Sequence, residues 1–111
     1  MSSPYQAAID QLRSVGHSSI MNSYTTLGAA FSNPGRLCAF TNTTDADMLI
    51  STDGSNDYLI VPAGTAKIFD LCTNRRSDDF IFAFAAGTQF YVKYVSSPSK
   101  GSIYLEVIYG N

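Results

Sequence analysis

Charge and catalytic side chains are what this sequence has least of. Only 14% of its 111 residues are charged, where globular chains carry about 25%. It has one histidine, His17, one glutamate, Glu106, and two cysteines, Cys38 and Cys72. A triad needs a base beside a nucleophile, and a zinc site needs several ligands close together. A single histidine meets neither need. Glycoside hydrolysis requires two facing carboxyls, and the one glutamate stands alone in a strand-like run. The pattern G-x-x-x-x-G-K-[ST] is missing, so Gly64-Thr65 and Gly87-Thr88 are read as turns and not as phosphate loops. The expectation is a chain that is no enzyme and needs no cofactor or metal.

Other absences narrow the partners. The net charge is −2 and the isoelectric point is near 5.0, whereas binding to a phosphate backbone needs a basic surface. The one basic pair, Arg75-Arg76, is followed one residue later by Asp78-Asp79. Nucleic acid is not an expected partner. No apolar run approaches the ~18 residues of a membrane helix, so no membrane is expected either. The N-terminus, Met1-Ser2-Ser3-Pro4-Tyr5, lacks the basic region and apolar core of a secretory signal. The two cysteines form no C-x-x-C pair, and in a reducing cytoplasm they read as buried free thiols.

Apolar surface, by contrast, is plentiful, with 45% hydrophobic residues. That is too much for a disordered chain. With so little charge, part of the surface is expected to be covered by a partner. The length allows one domain.

Ser3-Pro4-Tyr5-Gln6 has the makings of a capped helix start, and Tyr5, Ala8, Ile9 and Leu12 recur at helical spacing before Gly16. Residues 1–17 are therefore expected to form one short helix or arm. From Ile20 on the pattern is β. Runs are expected over 20–27, 36–43, 48–52, 58–61, 66–71, 80–85, 88–95 and 102–109. Asn33-Pro34-Gly35, Asp53-Gly54, Pro62-Ala63-Gly64 and Ala86-Gly87 mark turns between them, and 73–79 is the longest loop. About eight short strands fit an antiparallel sandwich of jelly-roll type over 18–111. Asp45, Asp47, Asp53, Asn56 and Asp57 resemble calcium ligands, but their spacing is not that of an EF-hand, and tight turns need the same residue types.

The aromatic residues crowd the C-terminal third. Phe80, Phe82 and Phe84 share one strand face and are expected to fill the core. Tyr91 with Tyr94, or Tyr104 with Glu106, could make an outer patch for a protein or a sugar. The last strand sets Ile103, Leu105, Val107 and Tyr109 on one face against Tyr104, Glu106 and Ile108 on the other. With both faces largely apolar, it calls for a covered sheet or an interface.

Several segments resemble small virion proteins of tailed bacteriophages. They are 40–47 (Phe-Thr-Asn-Thr-Thr-Asp-Ala-Asp), 50–57 (Ile-Ser-Thr-Asp-Gly-Ser-Asn-Asp), Pro62-Ala63-Gly64-Thr65, 70–74 and 87–93. The resemblance covers roughly residues 20–110 and is nearest to the capsid decoration, or staple, proteins of the short-tailed epsilon-fifteen-like phages. It implies a jelly-roll-like sandwich made in the bacterial cytoplasm and carried on the virion. There it would clip neighbouring major capsid proteins together against internal pressure, as a homodimer on the shell. The alternative is a head-tail connector, tail or fibre component. A sugar-binding sandwich is a third reading. Candidate partner-binding residues are Tyr5, Ile9 and Leu12 on the N-terminal segment and Arg75 and Arg76 in the long loop.

Overall fold

The computed structural model describes residues 7–70 and 84–110. Its strands are β1 (Ala7–Ile9), β2 (Arg13–Gly16), β3 (Thr25–Thr26), β4 (Gly35–Asn42), β5 (Met48–Ser51), β6 (Leu59–Val61), β7 (Ala66–Asp70), β8 (Tyr91–Tyr94) and β9 (Ser102–Gly110). The all-β expectation holds. The strands form two sheets in which every pairing between them is antiparallel. The first runs β1-β9-β4-β7, with β2 also paired to β9; the second runs β3-β8-β5-β6.

Both sheets bury their inward faces in one core. Cys38, Phe40, Ile103, Leu105 and Val107 come from the first sheet, and Met48, Ile50, Val61 and Val92 from the second. Each such side chain stabilises the fold by about 1.5–3 kcal/mol when fully buried. Phe40 and Phe90 meet edge to face at 5.1 Å, and Phe90 also touches Phe31 at 5.6 Å and Phe84 at 5.4 Å. Phe84 thus fills the core as expected, while Phe80 and Phe82 lie outside the described residues. Cys38 is a buried free thiol, and burial pushes its pKa up to about 12. Cys72 lies outside the described residues.

A buried asparagine ties the two sheets together. At the end of β4, the Asn42 Nδ2 donates to the carbonyls of Ala46 (2.8 Å) and Val61 (2.9 Å). Its Oδ1 accepts from the Thr44 amide (2.9 Å) and hydroxyl (2.6 Å). An amide group with four partners satisfies the backbone where the chain leaves one sheet for the other. Opposite it, Gly101 turns into β9 with φ of 83°, and a Cβ there would lie 2.3 Å from the Thr43 carbonyl oxygen.

Among the described residues, the expected N-terminal helix is not present: 7–9 and 13–16 are strands. Residues 7–9 pair with 108–110, and 13–16 with 102–105, so they line the far edge of β9. The apolar spacing from Tyr5 to Leu12 fits a helix, but a helix this short is marginal alone. Pairing along a nine-residue strand satisfies the same backbone groups and also buries Arg13 and part of Val15. From Arg13 onward the period is two, with Arg13 and Val15 inward and Ser14 outward. The only helical turn among the described residues is a 3-10 turn at His17–Ser19. The expected strand over 20–27 shrinks to Thr25–Thr26. Ile20 and Leu27 are both buried while Met21 between them is exposed, because this stretch crosses from one sheet to the other.

Candidate functional surface

Two outward faces remain once the core is filled, and register determines what each presents. On the first sheet, three cross-strand rows point away from the core: Ile9–Ile108–Leu37–Asp70, Glu106–Ala39–Ile68, and Ser14–Tyr104–Thr41–Ala66. Ile9 is 83% exposed, Ile68 67% and Leu12, beside them, 54%. This is a largely apolar face open to solvent, and contiguous exposed apolar surface marks interaction sites. A shallow depression in it is lined by Leu12, Thr41, Thr43, Tyr104 and Glu106.

That depression exists because the edge strand is broken at Asp10–Leu12, between β1 and β2. Arg13 holds the break. Its Nε donates to the Ala29 carbonyl (2.8 Å), Nη1 to the Gln11 carbonyl (3.1 Å) and Nη2 to the Asp10 carboxylate (3.2 Å). Its guanidinium lies 5.0 Å from the centre of the Phe31 ring. A buried cation is tolerated only with such compensation.

The second sheet is finished differently. Its outward rows are Thr26–Tyr91–Ser51 and Lys93–Leu49–Ile60. The loop after β5 folds over Tyr91, bringing Gly54 against the ring at φ 76°. Asp53 organises that loop. Its Oδ1 accepts from the Ser51 hydroxyl (2.9 Å) and the amides of Ser55 (2.8 Å) and Asn56 (2.9 Å). Its Oδ2 accepts from the Asn56 side chain (2.9 Å) and the Tyr58 hydroxyl (2.8 Å). Bonds from the Asn56 and Ser55 amides and the Asn56 and Ser51 side chains hold the Asp53 carboxyl well below the usual range. Beside it, Tyr24 donates to Asp57 at 2.5 Å, and Lys93 pairs with Asp57 at 3.3 Å and lies 4.7 Å from the Tyr24 ring centre. Burial, and then the bond to Asp57, raises the Tyr24 pKa.

The other turn aspartates are engaged too. Asp47 accepts from the Ala63 amide at 2.9 Å, and Asp45 from the amide (2.8 Å) and hydroxyl of Ser99. His17 places Nδ1 3.2 Å from the Gly101 carbonyl, and its amide donates to that same oxygen at 2.9 Å, so it fastens the turn into β9.

Of the candidate partner-binding residues, Ile9 and Leu12 come together on the open face of the first sheet. Tyr5, Arg75 and Arg76 lie outside the described residues. The pairing of Tyr91 with Tyr94 in an outer patch is corrected. Three residues apart on a strand, they point to opposite faces, so Tyr94 packs on the core and Tyr91 lies under the Gly54 loop. Tyr104 and Glu106 do share the outward face. Leu37 and Ile68 on the same face were missed, because alternation reveals that a strand has two faces but not which strands lie side by side.

No family model matches the chain, and no curated protein or solved structure shows detectable similarity to it. Among the described residues, no group of three or more His, Cys, Asp or Glu gathers as metal ligands would.

Proposed function

We propose that this chain is a capsid decoration protein that sits on the outer surface of a bacteriophage head and clips neighbouring major capsid proteins together. The observation that carries the proposal is the open apolar face of the first sheet on a small, rigidly cross-tied scaffold. A binding protein needs such a face, whereas on the second sheet the chain's own loop covers the Tyr91 row and only the end of the Leu49–Ile60 row is exposed.

The sheet edges support docking through a face. An exposed, flat edge strand invites pairing by backbone hydrogen bonds. Here β3 has two residues, β6 has three and runs into Pro62, and the β1–β2 edge is broken. On β7, Lys67 pairs with Phe40 and so points to the inward side, a charge that discourages a new strand.

The strand order supports a jelly roll. Counting β1 and β2 as one broken strand gives eight, and their order is first-eighth-third-sixth facing second-seventh-fourth-fifth. Two Greek keys wound together produce that order. Viral capsid proteins use this architecture, as do lectins and cupins, so the fold permits the role without assigning it.

The size of the face sets how it must work. The outward rows span four strands and the five residues from Leu37 to Thr41 on β4, roughly 20 by 20 Å or about 400 Å². A stable single interface uses about 800 Å² per partner. Each contact is therefore modest, and many copies on a symmetric shell hold collectively.

Co-sedimentation of the purified protein with capsids of the major capsid protein tests this. Saturation on the order of hundreds of copies per particle, with a raised disruption temperature, is expected. A ring of about a dozen copies at one vertex would indicate a connector or tail component instead.

A further inference from the structure

We infer that the depression beside the strand break is a socket for one lysine or arginine side chain of the protein that covers this face. The inference rests on the docking role proposed above and specifies its chemistry.

Among the described residues, the paired outward positions of the first sheet include the acids Asp70 and Glu106 and no base. Asp70, and Arg36 in the bulge beside Leu37, are each engaged already, so the charge that bears on docking is Glu106. Glu106 stands in the central strand with Ala39 as its neighbour on β4. On its other side is the break, where Leu12 replaces a paired residue. The depression is lined by Leu12, Thr41, Thr43, Tyr104 and Glu106. A carboxylate in the middle of an apolar docking face is costly when covered unless it is paired. The socket offers what a long basic side chain needs. The aliphatic stem can lie along Leu12 and Tyr104, and the charged head can meet Glu106.

Charge also selects between occupants. A second copy docking through this face would bring Glu106 against outward rows whose paired positions hold no base to meet it, which is unfavourable. The occupant is therefore an apolar surface of a different protein carrying one exposed base.

Two measurements test the inference. The first uses the ¹⁵N-labelled full chain titrated with N-acetyl-lysine methylamide, and with its uncharged norleucine counterpart. Saturable shifts confined to Leu12, Thr41, Thr43, Tyr104 and Glu106 are expected from the lysine compound, and they should vanish in Glu106→Gln. Equal shifts from both compounds, or none at these residues, would overturn it. The second compares capsid co-sedimentation of wild type and Glu106→Gln, whose thermal unfolding should match because Glu106 is exposed. A loss of about tenfold or more in affinity is expected from removing one partner of a covered charge pair. Unchanged affinity would overturn the socket and leave the decoration role standing. Failure of the wild type to bind would sink that role, while the titration still decides the socket.

Discussion

On the second sheet's outward face the chain's own loop engages Tyr91, Lys93 and Ser51, while Ile60 at the edge of that face stays exposed. The first sheet's outward face carries Ile108, Leu37, Ile68 and Ile9, of which Ile9 and Ile68 are open to water and Ile108 and Leu37 half-buried. Both faces come from the same antiparallel geometry and share one core. The difference lies in the connections between strands. After β5 comes Asp53-Gly54, which folds back over its own sheet. At the β1–β2 edge the chain breaks and leaves a depression. The loop thus covers much of one outward face, and the broken edge leaves more apolar side chain exposed on the other.

The largest effects should come from changes that break both faces at once. Phe40→Ala removes the ring that joins Phe69 and Phe90, and should cost about 3–5 kcal/mol in denaturant unfolding. A loss under about 1 kcal/mol would mean the sheets do not share a core. Next is Asn42→Ala, which takes the Asn42 amide from the Val61 carbonyl and leaves the Ala46 carbonyl with the Thr44 hydroxyl alone, while the Thr44 amide loses its acceptor. It should cost about 3 kcal/mol, as unsatisfied buried groups do, with a single cooperative transition retained. Gly54→Ala acts on the second face alone. The positive φ makes it cost about 1–2 kcal/mol, and exchange of the 52–58 amides should quicken while capsid binding is unchanged.

Acid should also separate the faces. Asp45, Asp53 and Asp57 all have carboxyl pKa values lowered by hydrogen bonds, those of Ser99, Asn56 and Tyr24 foremost. A lowered folded pKa means that their stabilisation is complete above the ordinary aspartate value of about 3.9 and is lost as pH falls below it. The 52–58 amides and those around Ser99 should therefore lose exchange protection below about pH 4. The outward rows of the first sheet, which depend on no such carboxylate, should change least.

Much of this was legible in the sequence. The runs at 36–43, 48–52, 58–61, 66–71 and 102–109 correspond to β4, β5, β6, β7 and β9 within one or two residues, because alternation and turn residues agree there. The N-terminal segment was not legible. Ala8, Ile9 and Leu12 fit a helix locally, and only the free edge of β9, at the other end of the chain, draws Ala8 and Ile9 into a strand. The two apolar faces of the last strand pointed to an interface on its second side. Ile68 and Leu37 joined that surface only through register, which the sequence does not encode locally.

The smallest expected change in stability gives the most direct test of the docking face. Ile68→Asp and Ile60→Asp each place one carboxylate at an exposed position, on the first and second sheet, and each should leave stability within about 0.5 kcal/mol. Co-sedimentation of both with capsids of the major capsid protein should show Ile60→Asp saturating like wild type and Ile68→Asp failing to bind. Equal binding by the two variants would contradict the assignment of the first sheet's outer face as the docking surface.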